Sequence, residues 1–334
     1  MRQILKTPLT EALGITHPVI SAPMALASGG ALAAAVSRAG GLGLIGGGYG
    51  DRAWLEAQLA LAGEARIGCG FITWALAKAP DLLSRALDHG CTEIFLSFGD
   101  PTAFAGEIHA AKARLICQVQ TCADARVALD AGAAIIVAQG AEAGGHGKTR
   151  GTLALVPEIA DVIAHAGRDA LLVAAGGIAE GRGVAAALAL GADGVLVGSR
   201  FWASAEALVH PNMHAAALAA TGDDTIRSSV MDIARDLDWP TGHTARVLKN
   251  AFTEQWHGKE AALRADPDAG ACWRAAWDAG DTRTANTFVG EAAGLIGDIR
   301  PAAEILSTMV AQAGLRLARA HGQVRAPETK RKAG

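Results

Sequence analysis

The sequence lacks an excess of charge of either sign and is poor in aromatic side chains. Its 30 lysines and arginines nearly balance its 33 aspartates and glutamates, which gives a formal net charge of −3. This balance offers no electrostatic basis for binding nucleic acid or an anionic membrane surface. Aromatic residues make up only 4% of the chain, whereas glycine alone contributes 41 residues. Small side chains let helices pack closely against strands, so the composition favours an α/β protein.

Cysteine is also scarce, and no C-x-x-C pair occurs among Cys69, Cys91, Cys117, Cys122 and Cys272. This odd number of cysteines predicts reduced thiols in a cytoplasmic protein, not disulfides. The N-terminal segment contains no apolar run of the length that a signal peptide needs. No stretch of ~18 uninterrupted apolar residues predicts a membrane span, and no spacing of histidine and acidic residues predicts a metal site.

Eight short apolar runs, rich in valine, isoleucine and leucine, recur at fairly even spacing. None of them alternates between apolar and polar residues, which is typical of parallel strands buried on both faces. The runs cover residues 18–24, 42–46, 67–72, 93–98, 114–120, 134–140, 170–177 and 194–199.

Alanine-rich stretches between these runs predict helices. Ser28 is placed to cap a helix that ends at Gly40 and Gly41. Further helices are predicted at 81–89, 123–131, 157–165 and 180–190. Eight strands, each followed by a helix, predict a closed (β/α)8 TIM barrel in preference to an open doubly wound sheet.

The pattern changes after Ser199. Residues 203–290 contain no strand-like run, and we expect them to form a helical insertion or lid after the eighth strand. The barrel then comprises residues 1–202 plus 291–320, with a last helix at 299–313. The polar, basic stretch "RAPETKRKAG" predicts a flexible tail over residues 321–334.

The segment "GAEAGGHGKTRG" at residues 140–151 ends like a phosphate-binding P-loop, G-x-x-x-x-G-K-[ST]. The spacing excludes that interpretation, because the first glycine of the motif falls on Glu142, whose carboxylate repels phosphate. A second partial match, "GLGLIG" at 41–46, follows a helix instead of opening one. A dinucleotide fingerprint has the opposite order, so neither segment predicts a nucleotide site.

A stronger phosphate signal lies after the seventh and eighth predicted strands. In TIM barrels these two loops, with a nearby helix N-terminus, commonly hold a phosphate group. The segments are "AAGGIAEGRG" and "LVGSRF", in which Gly176, Gly177 and Gly198 leave backbone N–H groups accessible and Ser199 adds a hydroxyl. They predict a phosphorylated cofactor or substrate, although glycines in tight βα turns would look the same.

His146 lies just past the end of the sixth predicted strand, at the edge where barrel enzymes do their chemistry. Its neighbours Gly144, Gly145 and Gly147 leave space for a ligand. Histidine is the usual general base near neutral pH. The residues alone leave a catalytic and a structural histidine as equal alternatives.

Together these motifs resemble the nitronate monooxygenase (2-nitropropane dioxygenase) family of FMN-dependent TIM barrels. The similar stretches extend from about residue 15 to residue 310: "PVISAPMA", "LAAAVSRAGGLGLIGGG", "AGAAIIVAQGAEAGGHG", "LLVAAGGIAEGRGVAAALALGADGVLVGSRF" and "GEAAGLIGDIRPAAEIL". Flavin-dependent enoyl reductases and certain NADH:quinone reductases share this scaffold, so the motifs indicate the superfamily more firmly than one activity.

The resemblance implies a set of cofactor-binding residues. Ala22, Pro23, Met24 and Ala25 would lie against the flavin ring. Gln139 would hydrogen-bond the ribityl chain or the ring edge, and Gly144 and Gly145 would let their loop approach the flavin. The phosphate would be held by Gly176, Gly177, Gly198 and Ser199.

The resemblance also implies that His146 removes the proton next to a nitro group or binds the nitronate. Dioxygen would then complete the oxidation to a carbonyl compound and nitrite. Two positions depart from the family. Gly70 replaces an asparagine that contacts the flavin in many relatives, and Glu291 replaces a frequent glutamine.

Two alternatives remain open at this stage. One is an FMN-dependent NAD(P)H reductase of quinones or enoyl thioesters on the same scaffold. The other is a flavin-free barrel that binds a phosphorylated metabolite. It is disfavoured because the strand ends carry neither paired carboxylates nor a lysine. The natural substrate and the oligomeric state stay open as well, with a homodimer among the alternatives.

Overall fold

The computed structural model describes residues 5–323. The strands in chain order are β1 (Val19–Ser21), β2 (Gly43–Gly46), β3 (Ile67–Ile72), β4 (Glu93–Ser97), β5 (Arg114–Val119), β6 (Ile135–Gln139), β7 (Gly145–Gly147), β8 (Leu171–Ala175), β9 (Gly194–Val197), β10 (Thr225–Ser228) and β11 (Thr244–Leu248).

Eight of these strands form one parallel sheet in the order β1-β9-β8-β6-β5-β4-β3-β2. Its two ends meet, because the N–H of Leu42 donates to the carbonyl of Val19 at 3.0 Å and the N–H of Ser21 donates to Leu42 at 2.9 Å. All eight predicted strands are present, and the predicted (β/α)8 TIM barrel is confirmed.

The helices are α1 (Pro8–Leu13), α2 (Gly30–Arg38), α3 (Arg52–Ala62), α4 (Thr73–Leu76), α5 (Asp81–Asp88), α6 (Thr102–Ala110), α7 (Cys122–Asp130), α8 (Thr152–Ala166), α9 (Gly181–Ala189), α10 (Ser199–Trp202), α11 (Pro211–Ala219), α12 (Val230–Ala234), α13 (Ala251–Trp256), α14 (Glu260–Arg264), α15 (Pro267–Ala279) and α16 (Ala302–Gln323). Two short 3₁₀ helices cover Gly222–Asp224 and Glu291–Leu295. Within residues 5–323, no helix is both long enough and apolar enough to cross a bilayer.

Side chains that point into the barrel form a core of their own, which includes Ile20, Phe95 and Val137. The short helix α1 contributes Leu9 to this core. A Cβ on Gly194, at the start of β9, would lie 2.3 Å from Leu9 Cδ2. The helix therefore covers the amino-terminal end of the barrel and leaves the opposite end for the loops that follow the strands.

Two local predictions are wrong. Ser28 does not cap α2, because Gly29 occupies the capping position and the Ser28 hydroxyl donates to the Leu44 carbonyl at 2.6 Å. The segment 203–290 is not free of strands, because β10 and β11 pair antiparallel within it. Strand β11 also pairs with β7, and the three strands form a small second sheet.

The structure describes only part of the C-terminal region for which the sequence made predictions. The last helix starts close to the expected residue, after Pro301, but α16 continues as far as Gln323. Residues 324–334 of the predicted flexible tail lie outside the described part of the chain. Helix α16 packs against α9, where the N–H of Gly181 donates to Gln312 Oε1 at 3.0 Å.

Candidate active site

A cavity of about 380 Å³ opens at the carboxyl ends of the barrel strands, where the loops after β1, β6, β8 and β9 converge. Every site residue that we predicted from the sequence lines this cavity. They are Ala22, Pro23, Met24, Ala25, Gln139, Gly144, Gly145, His146, Gly176, Gly177, Gly198 and Ser199. Residues far apart in the sequence thus share one surface.

The loops after β8 and β9 present free backbone donors to the cavity. Gly176 and Gly177 have left-handed φ values of 105° and 71°, a conformation that favours glycine. Helix α10 begins directly at Ser199. Within residues 5–323, the N–H groups of Gly177 and Ser199 donate no hydrogen bond. Such unpaired N–H groups beside a helix start suit an anionic group.

The glycines before His146 serve two different purposes. A Cβ on Gly144 would lie 2.7 Å from the backbone nitrogen of Gly290, so Gly144 is needed for the approach of that chain segment. Gly145 has a φ of 72°, and a Cβ added there would meet no atom within 4 Å, so the space beside it is open. The N–H of Gly290 also donates to the Ser199 hydroxyl at 2.9 Å.

Gln139 ends β6 inside a chain of amides. Its Oε1 accepts hydrogen bonds from Gln118 at 3.1 Å and from Gln120 at 2.8 Å. With the oxygen engaged, the Gln139 amide N–H groups are the donors left for a ligand. Glu142 is engaged differently, because its carboxylate accepts from the backbone N–H and the hydroxyl of Thr152 at the start of α8.

The structure shows what Gly70 and Glu291, the two positions that depart from the family, contact. Gly70 lines the cavity, and a Cβ there would lie 2.3 Å from Pro23 Cβ, so the proline fills the space of a side chain at this position. Glu291 is not among the residues that line the cavity. Its carboxylate forms an ion pair with Arg246 at 2.7 Å.

His146 is the middle residue of β7, opposite Ala245 of β11. Its side chain is buried, and Nε2 lies 3.0 and 2.9 Å from the two carboxylate oxygens of Asp232. The imidazole stacks on Trp239, with ring centroids 3.4 Å apart and planes inclined by 6°. The ring orientation is therefore set by residues of the insertion, which the sequence did not connect with the site.

The Asp232 carboxylate determines which imidazole nitrogen is basic. An ionised carboxylate only accepts hydrogen bonds, so Nε2 carries the proton and Nδ1 is the acceptor. Nδ1 makes no hydrogen bond within residues 5–323. Burial lowers the pKa of His146 below the ordinary histidine value, while Asp232 opposes that effect. A neutral imidazole near pH 7 can accept a proton.

Two arginines hold the backbone of the loop that carries His146. Arg227 donates from Nη1 to the Ala141 carbonyl at 3.1 Å and from Nη2 to the Gly147 carbonyl at 2.6 Å. Arg246 donates from Nε to the same Ala141 carbonyl at 2.9 Å. Burial and the neighbouring Arg246 charge lower the pKa of Arg227 to about 10. Sequence patterns give no sign of this clamp, because Arg246 lies 105 residues from Ala141 along the chain.

A third arginine, Arg235, lines the cavity itself. Its Nη2 donates to Asp232 Oδ1 at 2.7 Å, and its Nε donates to the Met231 carbonyl at 3.1 Å. The described residues contain no group of three or more His, Cys, Asp or Glu side chains that could hold a metal ion. Among the side chains that line the cavity, His146 can transfer a proton and Arg235 can bind an anion.

Comparisons with known proteins identify the family. The profile of the nitronate monooxygenase family matches residues 6–65 and 78–312. A nitronate monooxygenase of Neurospora crassa is 33% identical to this chain over 90% of this chain and 89% of its own length. The nitronate monooxygenase npaC of Metarhizium robertsii is 33% identical over 92% of this chain and 95% of its own length.

Two solved structures are similar over nearly their whole length. FabK of Thermotoga maritima superposes with a TM-score of 0.83 at 31% identity, over 96% of this chain and 100% of that one. Nitroalkane oxidase of Streptomyces ansochromogenes superposes with a TM-score of 0.76 at 26% identity, over 92% of this chain and 98% of that one. The family profile and the full-length relatives show that this chain belongs to the nitronate monooxygenase family of flavin oxidoreductases.

Proposed function

We propose that the protein is an FMN-dependent nitronate monooxygenase that oxidises alkyl nitronates or nitroalkanes with dioxygen to a carbonyl compound and nitrite, with His146 as the base. One observation carries this proposal. The buried His146 imidazole shares a cavity with the turns whose N–H groups are unpaired, and Asp232 directs its Nδ1 to act as the acceptor.

FMN fits the residues that line the cavity. The free N–H groups of Gly177 and Ser199 suit its phosphate, and the amide of Gln139 suits the polar part of the ribityl chain or the ring. The apolar side chains of residues 22–25 provide a surface for the ring. When bound, FMN supplies the electron transfer between substrate and dioxygen, and the protein supplies orientation and electrostatics.

His146 and Asp232 perform the proton transfer. Nδ1 takes the proton from the carbon next to the nitro group, and the electron pair of the broken C–H bond moves towards the nitro oxygens. The imidazolium that results lies 2.9 Å from the Asp232 carboxylate, which stabilises it. A substrate that is already ionised to the nitronate needs no base. Turnover of the neutral nitroalkane therefore depends on proton transfer to His146, whereas turnover of the nitronate does not.

The test compares both forms of the substrate. Flavin-loaded wild-type protein should absorb as a flavoprotein and release nitrite from a nitroalkane and from its pre-ionised nitronate. His146→Gln should lose most turnover of the neutral nitroalkane and keep turnover of the nitronate. His165→Gln, on an exposed helix face, is the matched control. Full nitroalkane turnover by H146Q would refute the base, and a protein that binds no FMN would refute the whole proposal.

A second candidate is an FMN-dependent NAD(P)H reductase of quinones or enoyl thioesters. The observation in its favour is the high similarity to FabK, an enoyl reductase neighbour. Anaerobic mixing with NADH or NADPH separates the two candidates. Rapid loss of the oxidised flavin absorbance supports the reductase, whereas an unchanged spectrum supports the monooxygenase.

We further propose that the protein acts in the cytoplasm, with a small-molecule substrate and dioxygen as its partners. Residues 203–290 serve as a lid-like insertion on the barrel of residues 1–202 and 291–320 in this proposal. The support is that Asp232, Arg235 and Trp239, all from the insertion, lie against His146 or line its cavity.

A further inference from the structure

We propose that Arg235 stabilises the negative charge that develops on the substrate's nitro oxygens when His146 removes the proton. This inference rests on the proposed function and adds a second catalytic residue to it. Arg235 is the one arginine or lysine side chain among the described residues that line the cavity.

The position of Arg235 is fixed relative to the base. His146 Nε2 lies 3.0 Å and Arg235 Nη2 lies 2.7 Å from the same oxygen, Asp232 Oδ1. The guanidinium and the imidazole are therefore bridged by one carboxylate oxygen, and both residues line the same cavity. A nitroalkane whose acidic carbon lies at Nδ1 would place its nitro group in the cavity that the guanidinium also lines.

The guanidinium is held in a fixed orientation. Its central carbon lies 5.6, 5.8 and 5.2 Å from the ring centroids of Tyr49, Trp273 and Phe288, and its side chain is only 18% exposed. Aromatic faces attract a guanidinium and exclude water from it. The bonds to Asp232 and Met231 occupy one edge, which leaves further N–H donors on the planar fork.

The charges balance through the step. Before the transfer, Arg235 and Asp232 neutralise each other, and both His146 and the nitroalkane are neutral. Afterwards the C–H proton is on Nδ1 and its electron pair is shared by the carbon and the nitro oxygens. The imidazolium then pairs with Asp232, and the nitronate pairs with Arg235. Fixed charges aimed at a developing anion are among the largest contributions to enzymatic rate.

The kinetic experiment replaces the charge in flavin-loaded protein. Arg235→Met should lower kcat for a neutral nitroalkane by about 100-fold, because one preorganised donor to the developing anion is lost. For the pre-ionised nitronate, R235M should raise KM at least tenfold and change kcat less. Arg235→Lys should restore part of the kcat for the nitroalkane and part of the KM for the nitronate. Arg235→Gln keeps a donor for Asp232 without the charge, and it replaces R235M if that variant does not fold.

Arg274→Met is the matched control, because Arg274 donates to the Ala234 carbonyl in the same segment but does not line the cavity. R274M should retain wild-type kinetics. If Arg235 had a purely structural role, R235M would lose the same fraction of its activity on both substrate forms. That fraction would match the fraction of protein that is no longer folded. Equal loss of that kind, or wild-type kinetics in R235M, would overturn the proposal.

A binding experiment tests the same inference without turnover. Inorganic nitrate combines the planar geometry of a nitro group with a negative charge, and its binding can be followed by perturbation of the flavin absorbance. Wild type and R274M should bind nitrate, and R235M should bind it at least tenfold more weakly. Equal nitrate affinity in wild type and R235M, or no binding to wild type, would overturn the proposal. Arg235-dependent nitrate binding without oxidation of any nitro compound would instead refute the proposed function and leave Arg235 as an anion-binding residue of the cavity.

Discussion

Asp232→Asn tests the orientation of the base more sharply than removal of the base itself. In the wild type, Arg235 donates to Asp232 Oδ1, so in the variant the oxygen of the new amide should face Arg235 and its NH₂ group should face His146. The NH₂ group then replaces Oδ2, the carboxylate oxygen 2.9 Å from Nε2, so it favours an Nε2 that accepts a hydrogen bond and an imidazole proton on Nδ1. The ring stays in place with the wrong nitrogen protonated.

Loss of the correct tautomer lowers proton-transfer rates by up to about 10⁴ in comparable histidine–carboxylate pairs. We expect kcat for a neutral nitroalkane to fall by about 10²–10⁴, which corresponds to about 3–5 kcal/mol of transition-state stabilisation. Turnover of the pre-ionised nitronate should change far less, because it requires no base.

The assay is nitrite release from the two substrate forms by flavin-loaded D232N, with Asp124→Asn as the control. Asp124 pairs with Lys148 and does not line the main cavity. Because D232N leaves the Arg235 charge unpaired, its free energy of unfolding should be measured alongside, and we expect a loss of up to about 3–5 kcal/mol. A folded D232N that turns over nitroalkane at the wild-type rate would refute the reasoning.

Three further predictions concern burial and packing. Because burial lowers the pKa of His146, the base is neutral at pH 7, and kcat/KM for a nitroalkane should be flat above neutral pH and fall only on acidification below the ordinary histidine pKa; a pH–rate profile measures this. Gly70→Asn should weaken FMN binding and cost about 1–3 kcal/mol of stability, because Pro23 fills that space; tighter binding with an unchanged Tm would contradict it. In a thiol titration of native protein, exposed Cys272 should react first, while unfolding should be required to label Cys69, Cys91 and Cys117, whose pKa values are raised by burial.

The barrel could be predicted because its signal is local. Most barrel strands are buried on both faces and have largely apolar sequences, and successive βα units repeat that pattern. The glycine turns that we propose as the phosphate site are local signals as well. The capping role expected for Ser28 is wrong because a serine before a helix can cap it or bond elsewhere, and here the Leu44 carbonyl in the neighbouring strand accepts its proton.

The surroundings of His146 could not be predicted, because they depend on contacts between distant segments. Strand β7 consists of Gly145–Gly147, which has no strand propensity and is extended because it pairs with β11. Asp232 lies 86 residues from His146 and belongs to no motif. The strands β10 and β11 are short and rich in polar residues, so their sequences do not stand out from helix and turn.

The small sheet of β7, β10 and β11 separates two tasks between two parts of the chain. The turns that suit a phosphate belong to the barrel, whereas the strand and carboxylate that aim the imidazole come from the segment after β9. A chimera that exchanged this segment for another with matching ends would keep the turns proposed to hold the cofactor phosphate and change the side chains around the histidine. Changes in this one segment could therefore alter the reaction while the residues proposed to hold the cofactor stay the same.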